Sequence, residues 1–126
     1  MAKRKAKRVS RKSKKARPAR KKAAKNDKLP KDAVTMVVHL RARDGQEMLL
    51  EAELRALVGP TRKEDGCLVY DLHRSVDGPG AFLLHEVWAT RDAHTAHTRT
   101  DHFLRWNARK DALCADRASS FWKQLL

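Results

Sequence analysis

The sequence is poor in cysteine and in long apolar runs, and both shortages limit what the chain can be. Its 126 residues include two cysteines, Cys67 and Cys114, which stand far apart and in no CxxC pair, so we expect free thiols in a reducing compartment. No run of about 18 apolar residues occurs, so we expect no membrane span, and the basic start lacks the apolar segment of a secretory signal. These absences predict a cytoplasmic protein.

Short catalytic motifs are also missing. The sequence has no nucleophile elbow, no phosphate-binding P-loop and no glycine-rich dinucleotide fingerprint. Any chemistry must therefore come from side chains that the fold brings together from distant parts of the sequence.

Negative charge is scarce at one end of the chain. Residues 1–32 hold 16 lysines and arginines against two acids, whereas residues 33–126 hold 13 basic and 13 acidic residues. Residues 1–28 contain no aromatic residue and one aliphatic residue other than alanine, Val9, so they cannot bury enough apolar surface to offset their chain entropy. We therefore divide the chain into a disordered basic tail and linker, residues 1–32, and one folded domain, residues 33–126.

The basic tail is suited to binding a polyanion. Bound phosphates would relieve the repulsion between its positive charges and release counterions. Because the tail has no aromatic residue to stack on bases, nucleic-acid binding would be independent of sequence and would place the protein at the nucleoid. Two other interpretations stay open, a targeting signal and a segment that only aids solubility. The tail also supports an alternative function, that of a non-catalytic dimeric nucleic-acid-binding protein.

Apolar patterns in the folded domain predict a small α+β fold. The expected order is strand 34–40, helix 46–64, strand 67–76, strand 81–89, helix 90–98, helix 102–113 and strand 117–125. Gly59 and Pro60 should kink the first helix or end it early. Thr90 and Asp101 should cap the two later helices. This order is that of the ferredoxin-like fold.

The predicted sheet leaves one face without helices. The strand at 34–40 is apolar on both of its alternating faces, which indicates cover on both sides. We therefore expect a homodimer in which two sheets pack face to face. A monomer with a partly wet sheet is the alternative.

The hairpin places candidate functional residues on one face of the sheet. If its turn centres near residues 78–80, Arg74 lies diagonal to Glu86 and close enough for an ion pair. The expected opposite pairs are Tyr70 with Trp88, Leu72 with Glu86 and Arg74 with Leu84. A one-residue slip would move these side chains to the other face.

Aromatic residues and histidines are expected above this face. The helix at 90–98 carries His94 and His97 back over the sheet, and the next helix begins with His102, Phe103 and Trp106 on one stripe. The result would be an aromatic-lined pocket with neutral histidines, suited to a flat hydroxylated aromatic molecule.

Several segments of this region together resemble a known family. They are Gly66-Cys67-x-x-Tyr70-Asp71-Leu72-His73-Arg74-Ser75, Phe82-Leu83-Leu84-His85-Glu86-Val87-Trp88-Ala89, Ala93-x-x-x-His97 and Thr100-x-His102-Phe103. The pattern resembles the antibiotic biosynthesis monooxygenase domain, and most closely its quinol monooxygenase branch. The resemblance covers about residues 34–126 and leaves the tail outside.

The resemblance implies a dimeric α+β barrel that oxygenates quinols or related polyphenols with O₂ as co-substrate and with neither flavin nor metal. A base with a pKa near neutrality must remove a phenolic proton in a dry pocket. We expect His97 to be this base, with His102 as the second choice. Substrate binding is expected from Tyr70, Arg74, Glu86, Trp88, Phe103 and Trp106, the first two holding substrate oxygens and the aromatic residues stacking on the ring.

Structural roles for the same residues stay open. Arg74 and Glu86 could form a purely structural ion pair, Trp88 could belong to the core, and His97 could be a packing or capping residue. His94 and His97 have the spacing of a metal-binding pair, but no third ligand is evident, so we predict no metal site. Haem-degrading members of the family carry Trp at the position of His97 and a haem-ligating His near Asn107, which argues against haem degradation here.

Overall fold

The computed structural model of the protein describes residues 29–126. Predictions about the basic tail, including its disorder, fall almost entirely on residues outside this range. The described elements are β1 (Val34–Ala42), α1 (Glu47–Arg62), β2 (Cys67–Arg74), β3 (Ala81–Trp88), α2 (Arg91–His97), α3 (Asp101–Leu113) and β4 (Cys114–Trp122). The predicted ferredoxin-like α+β fold is confirmed.

The four strands form one antiparallel sheet in the order β2-β3-β1-β4. The two central strands, β1 and β3, carry the most apolar sequences, since each is flanked by strands on both edges. Side chains of one sheet face pack with the helices into a single core, in which Leu50, Tyr70 and Trp88 have at most 2% of their surface exposed. This face, between sheet and helices, also carries the candidate site.

Helix α1 buries a stripe of side chains spaced at helical period, namely Leu50, Leu54, Leu57 and Thr61. The helix continues through Pro60 to Arg62, close to the predicted end at residue 64, so of the two alternatives for Gly59 and Pro60, a kink or an early end, the early end was wrong. Pro60 lies in the last turn, where the loss of one backbone N–H affects a single hydrogen bond, and burial of the stripe outweighs that loss.

The hairpin of β2 and β3 is confirmed, but its register differs from the prediction by two residues. The structure pairs Tyr70 with Glu86, Leu72 with Leu84 and Arg74 with Phe82, and it shifts register between Cys67 and Val69. Because the difference is an even number, the predicted side chains keep their common face. The particular pairs that were expected, including Leu72 with Glu86, were wrong.

The caps and the last strand also differ in detail. Thr90 caps α2, as predicted, by accepting a hydrogen bond from the Ala93 N–H at 3.0 Å. Helix α3 is capped by Thr100, which accepts from the Phe103 N–H at 3.2 Å, so Asp101 is the first helical residue and not the cap. Strand β4 begins at Cys114, directly after α3, and ends three residues before the predicted end.

Within residues 29–126 no helix combines the length and the apolar character that crossing a lipid bilayer requires.

Candidate active site

A cavity of about 200 Å³ lies between the sheet and helices α2 and α3. Five of the residues predicted to form the site line it: Tyr70, Glu86, His97, Phe103 and Trp106. The other lining residues are Met36, Val38, Leu40, Leu84, His94, Thr98, Lys110, Arg117, Ala118 and Ser119. The walls therefore combine apolar and aromatic side chains with nearly as many polar or charged ones.

His97 is an almost fully buried side chain in the wall of this cavity. It is the last residue of α2, and 2% of its surface is exposed. Its ring centroid lies 4.9 Å from that of Trp88, 5.0 Å from that of Phe103 and 5.8 Å from that of Tyr70. Rings from three elements hold the imidazole in one orientation, so His97 is packed into the core and also lines the cavity.

Glu64 is a site residue that sequence reasoning missed. Its Oε2 atom lies 2.7 Å from Nδ1 of His97 and 2.6 Å from Nε2 of His102. One carboxylate oxygen therefore joins two imidazoles, and we call Glu64, His97 and His102 the His-Glu-His triad. The two bonds link His97 and His102 through one carboxylate oxygen, but His102 itself lies outside the cavity lining.

The turn after α1 brings Glu64 to the histidines. Gly66 adopts a φ of +84°, which favours glycine, and a Cβ atom there would lie 2.6 Å from the Ala93 Cβ of α2. The turn can therefore approach α2 closely, with Glu64 two residues before the contact. This glycine is the one local signal that could have pointed to Glu64, because it marks a close approach of backbone to a second element.

Burial controls the protonation of the two cavity histidines. Desolvation lowers the pKa of His97 below its ordinary value, and the hydrogen bond to the Glu64 carboxylate opposes that effect. Desolvation also lowers the pKa of His94, with a smaller contribution from His97. His97 is consequently neutral at pH 7 and able to accept a proton.

Glu86 is a buried carboxyl group in the cavity wall, with 3% of its surface exposed. Burial raises its pKa to about 7, although the Trp88 indole N–H, which donates to Oε1 at 2.9 Å, works in the opposite direction. Trp88 is fully buried and lies outside the cavity lining, so it cannot stack on a guest there as predicted. Its role is to hold Glu86 and to pack against His97.

Tyr70 lies opposite Glu86 in the sheet and is 2% exposed. Burial, together with the nearby Glu86, raises the pKa of its phenol well above the usual value. The hydroxyl therefore stays protonated at neutral pH and can donate a hydrogen bond.

The structure does not place Arg74 in the site. Its guanidinium donates to Oε1 of Glu51 at 3.0 Å, its side chain is 60% exposed, and it borders a groove on the outer side of α1 with Arg55 and Arg62. The expected ion pair with Glu86 is therefore wrong. The reason is the register, because Tyr70 takes the position opposite Glu86 and leaves Arg74 four residues further along β2.

Two positive side chains at the cavity were also missed. Lys110 comes from α3 and Arg117 from β4, and Arg117 donates to Asp111 at 2.7 Å. Arg117 was assigned to the start of the last strand, but the strand begins three residues earlier, which places Arg117 inside the ladder opposite Leu40. An anionic guest would find these cations beside its binding site.

The triad is also the group of donor atoms, within residues 29–126, that comes closest to a metal site, because its three donors lie within 4.8 Å of one another. The sequence suggested His94 and His97 as a possible metal-binding pair without a third ligand. In the structure, the group of three donors consists of Glu64, His97 and His102. Ligands bound tetrahedrally to zinc at about 2.1 Å stand more than about 3 Å apart. The nitrogen–oxygen distances of 2.6 and 2.7 Å are those of charge-assisted hydrogen bonds, so the triad is arranged to hold protons.

The fold and the triad define a small α+β domain with a buried histidine in the wall of a cavity. A family model described as antibiotic biosynthesis monooxygenase matches residues 33–109. "Putative monooxygenase Rv0793" from Mycobacterium tuberculosis is 37% identical over 75 residues, which cover 60% of this chain and 73% of that protein.

Solved structures agree with this match. The crystal structure of PA3566 from Pseudomonas aeruginosa has a TM-score of 0.73 at 36% identity, covering 75% of this chain and 96% of that one. The structure of Rv0793 has a TM-score of 0.71 at 33% identity, with the same coverage. The chain belongs to the antibiotic biosynthesis monooxygenase family, as the motifs around Tyr70, Glu86 and His97 predicted.

Proposed function

We propose that the protein is a cofactor-independent monooxygenase that acts on a quinol or a related hydroxylated aromatic molecule. The observation that carries the proposal is the placement of His97 in the cavity wall with its Nδ1 bonded to Glu64. Because Nδ1 donates to the carboxylate, Nε2 carries the lone pair and can act as a general base. Membership of a family whose relatives are named monooxygenases agrees with this role.

The proposed reaction begins when His97 removes a phenolic proton from the bound substrate. The Glu64 carboxylate stabilises the imidazolium that forms. The electron-rich anion passes one electron to O₂, and the two radicals combine at a ring carbon to form a peroxide. The peroxide anion takes up one proton, and its O–O bond and the C–H bond of the same ring carbon then break. One oxygen atom stays on that carbon as a carbonyl and the other leaves as water.

Other cavity residues have roles that fit a flat aromatic guest. The Tyr70 hydroxyl can donate to a substrate oxygen, and Glu86, which is partly ionised near pH 7, can accept from a hydroxyl group. Phe103 and Trp106 supply aromatic surface from α3. A substrate that fills the cavity would displace water from around the anion and the radical pair.

Oxygen uptake by the full chain with a panel of quinols tests the proposal. We expect uptake with at least one quinol, one product oxygen derived from ¹⁸O₂, and a loss of about 10²–10⁴-fold in rate for His97→Ala. His73→Ala is the matched control, because His73 is exposed on β2, away from the cavity, and should leave the rate unchanged. Absence of uptake with every quinol, or equal rates for His97→Ala and wild type, would contradict the proposal.

We also propose that the domain acts as a homodimer. Side chains of β1 that point away from the helices, such as Thr35 and Val37, are only partly covered, and Trp122, which lies opposite Thr35 on β4, is 59% exposed. Pairing of two open sheet faces would bury them. Sedimentation equilibrium measures the mass in solution, and a single monomeric species at micromolar concentration would rule the dimer out.

The basic tail supports a second proposal, that residues 1–32 bind a polyanion such as nucleic acid and tether the enzyme to it. The supporting observation is the charge, since the tail accounts for the whole formal net charge of +14. Binding of DNA should be independent of sequence and should weaken steeply with salt. A gel-shift titration with full-length protein and with residues 33–126 would show it, and DNA binding by an inactive protein would favour the non-catalytic alternative.

A further inference from the structure

The His-Glu-His triad connects the buried cavity to the surface. The exposed fraction of the side chain rises from 2% at His97 to 12% at Glu64 and 23% at His102. His97 borders the cavity, whereas His102 borders a groove between α1 and α3 together with Asp101 and Arg105. Two hydrogen bonds of 2.7 and 2.6 Å close the distance between them.

We propose that this triad is a proton path that carries the substrate's proton from His97 through Glu64 to His102 and solvent. The role rests on the proposed function for the identity of the proton donor, and on the hydrogen-bond geometry for the route. If the triad served only to orient His97, His102 would not be needed, because the hydrogen bond from His97 to Glu64 already orients the imidazole. Glu64 and His102 are thus positioning and proton-transfer residues that contact no substrate.

Each transfer along the path is balanced. His97 takes the phenolic proton on Nε2 and gives its Nδ1 proton to Oε2 of Glu64. Before the transfer, Nε2 of His102 donates its proton to Oε2 and Nδ1 carries the second proton of the imidazolium. As Oε2 receives the proton from His97, the Nδ1 proton of His102 leaves to water, so one proton enters the triad and one leaves it. When the peroxide collapses, one proton moves inward by the reverse steps and leaves in the water molecule, so the triad returns to its starting state with no net change in protons.

Other titratable groups near the triad do not offer the same route. The ring of His94 lies 6.0 Å from that of His97, which is a ring contact and not a hydrogen bond. Tyr70 contacts His97 by a ring edge at 5.8 Å. Glu86 is bonded by the Trp88 indole, so its carboxyl group is held within the sheet face. Asp101 and Arg105 stand at the outer end of the path, where charge is solvated.

Solvent exchange of the His97 Nδ1 proton, measured by NMR on ¹⁵N-histidine-labelled full-length protein, tests the path without any substrate. His102→Gln keeps a hydrogen-bond donor to Glu64 but cannot take up a proton. We expect this variant to slow the exchange of the His97 proton by at least about tenfold, because the route to solvent is interrupted. His73→Gln, an exposed histidine on β2, is the matched control and should exchange as wild type does.

An unchanged exchange rate in His102→Gln would overturn the path, since the proton would then leave by opening of the cavity. For an active enzyme the second readout is kinetic: kcat of His102→Gln should fall by about tenfold, recover with imidazole buffer, and leave KM unchanged. Oxygen uptake with normal exchange in the variant would contradict the path alone. Slowed exchange in a protein that consumes no oxygen with any quinol would contradict the proposed function alone.

Discussion

Two glutamates of this domain each bind two basic side chains, with different consequences. Glu51, on the outer side of α1, accepts from Arg55 at Oε2 (2.8 Å) and from Arg74 at Oε1 (3.0 Å). Glu64, just after α1, gives one oxygen to two histidines. The Arg55 and Arg74 side chains are 69% and 60% exposed, whereas the His97 side chain is 2% exposed.

The difference shows that solvent exposure and the choice of base decide what a shared carboxylate can do. Arginines keep their charge at every accessible pH, so the two beside Glu51 lower its pKa and form a fixed ion pair in water. Histidines change charge near neutrality. Burial lowers the pKa of His97, and the hydrogen bond to Glu64 raises it. The first cluster is a surface feature, and the second can store and move a proton.

The comparison is tested most strongly by replacing each glutamate with glutamine. Glu64→Gln should lower kcat by about 10²-fold with little change in KM, because the imidazolium of His97 loses its counter-charge. Glu64 raises the pKa of His97, so its neutralisation should also move the acid limb of the pH–rate profile to lower pH. Glu51→Gln is the matched control. A similar loss of kcat in both variants, or an unmoved acid limb, would contradict the distinction.

The second largest effect is expected for substitution of Glu86, and it concerns the stability of the fold. Its folded pKa of about 7 lies above the unfolded value of 4.5, so its contribution to stability is fully present below pH 4.5 and is lost as pH rises through 7. Glu86→Gln, whose amide oxygen can still accept from Trp88, should therefore increase the free energy of unfolding by about 3 kcal/mol at pH 8 and hardly change it at pH 4. Urea denaturation at both pH values measures the difference.

The other buried titratable groups do not affect the difference in stability between Glu86→Gln and wild type. His94 and His97 have lowered pKa values, so their contributions to stability are lost as pH falls below the ordinary histidine value. They are present in both proteins and cancel when the variant is compared with wild type at one pH. An equal gain in stability at pH 4 and pH 8 would show that burial does not raise the pKa of Glu86.

Thr100 gives the third effect, at the start of the helix that carries His102. Its hydroxyl accepts from the Phe103 N–H and donates to the His97 carbonyl at 2.8 Å, so it joins α2 to α3. Thr100→Ala should lower the free energy of unfolding by about 1 kcal/mol. Thr100→Ser keeps the hydroxyl and should lose much less. Equal losses in thermal denaturation of the two variants would mean that the methyl group, and not the cap, matters.

The sequence predicted the parts of the fold that local patterns determine. The presence of α1, the hairpin and the Thr90 cap all follow from periodicity or from one residue's chemistry. The predicted limits of β4 were wrong by three residues at each end. Most side chains of this strand are exposed and show little apolar pattern, so its limits depend on pairing with β1. His97 was correctly predicted to lie over the sheet face of Tyr70. A register error of two residues leaves every side chain on the same face of the sheet, so this prediction was not affected.

The parts of the site that were missed depend on geometry between elements. Glu64 lies 33 residues from His97 in sequence, and only the close approach at Gly66 brings the two together. The expected pair of Arg74 and Glu86 failed because the length of the turn sets the register of Tyr70 to Arg74, and that length cannot be read from alternation. Trp88 was expected to face a ligand, but alternation cannot distinguish a cavity wall from a filled core.

The smallest effect is expected for substitution of Arg74, one of the two arginines that bind Glu51. Arg74→Leu removes one of its two arginines, and because both partners are exposed and screened by water, the midpoint of urea denaturation should not change measurably in 0.15 M salt. The same experiment at low salt should show a slight loss, since screening is weaker there. The oxygen-uptake rate should equal that of wild type, because Arg74 lies outside the cavity. A clear loss of activity would instead extend the site to the outer side of α1 and remove the contrast between the two glutamates.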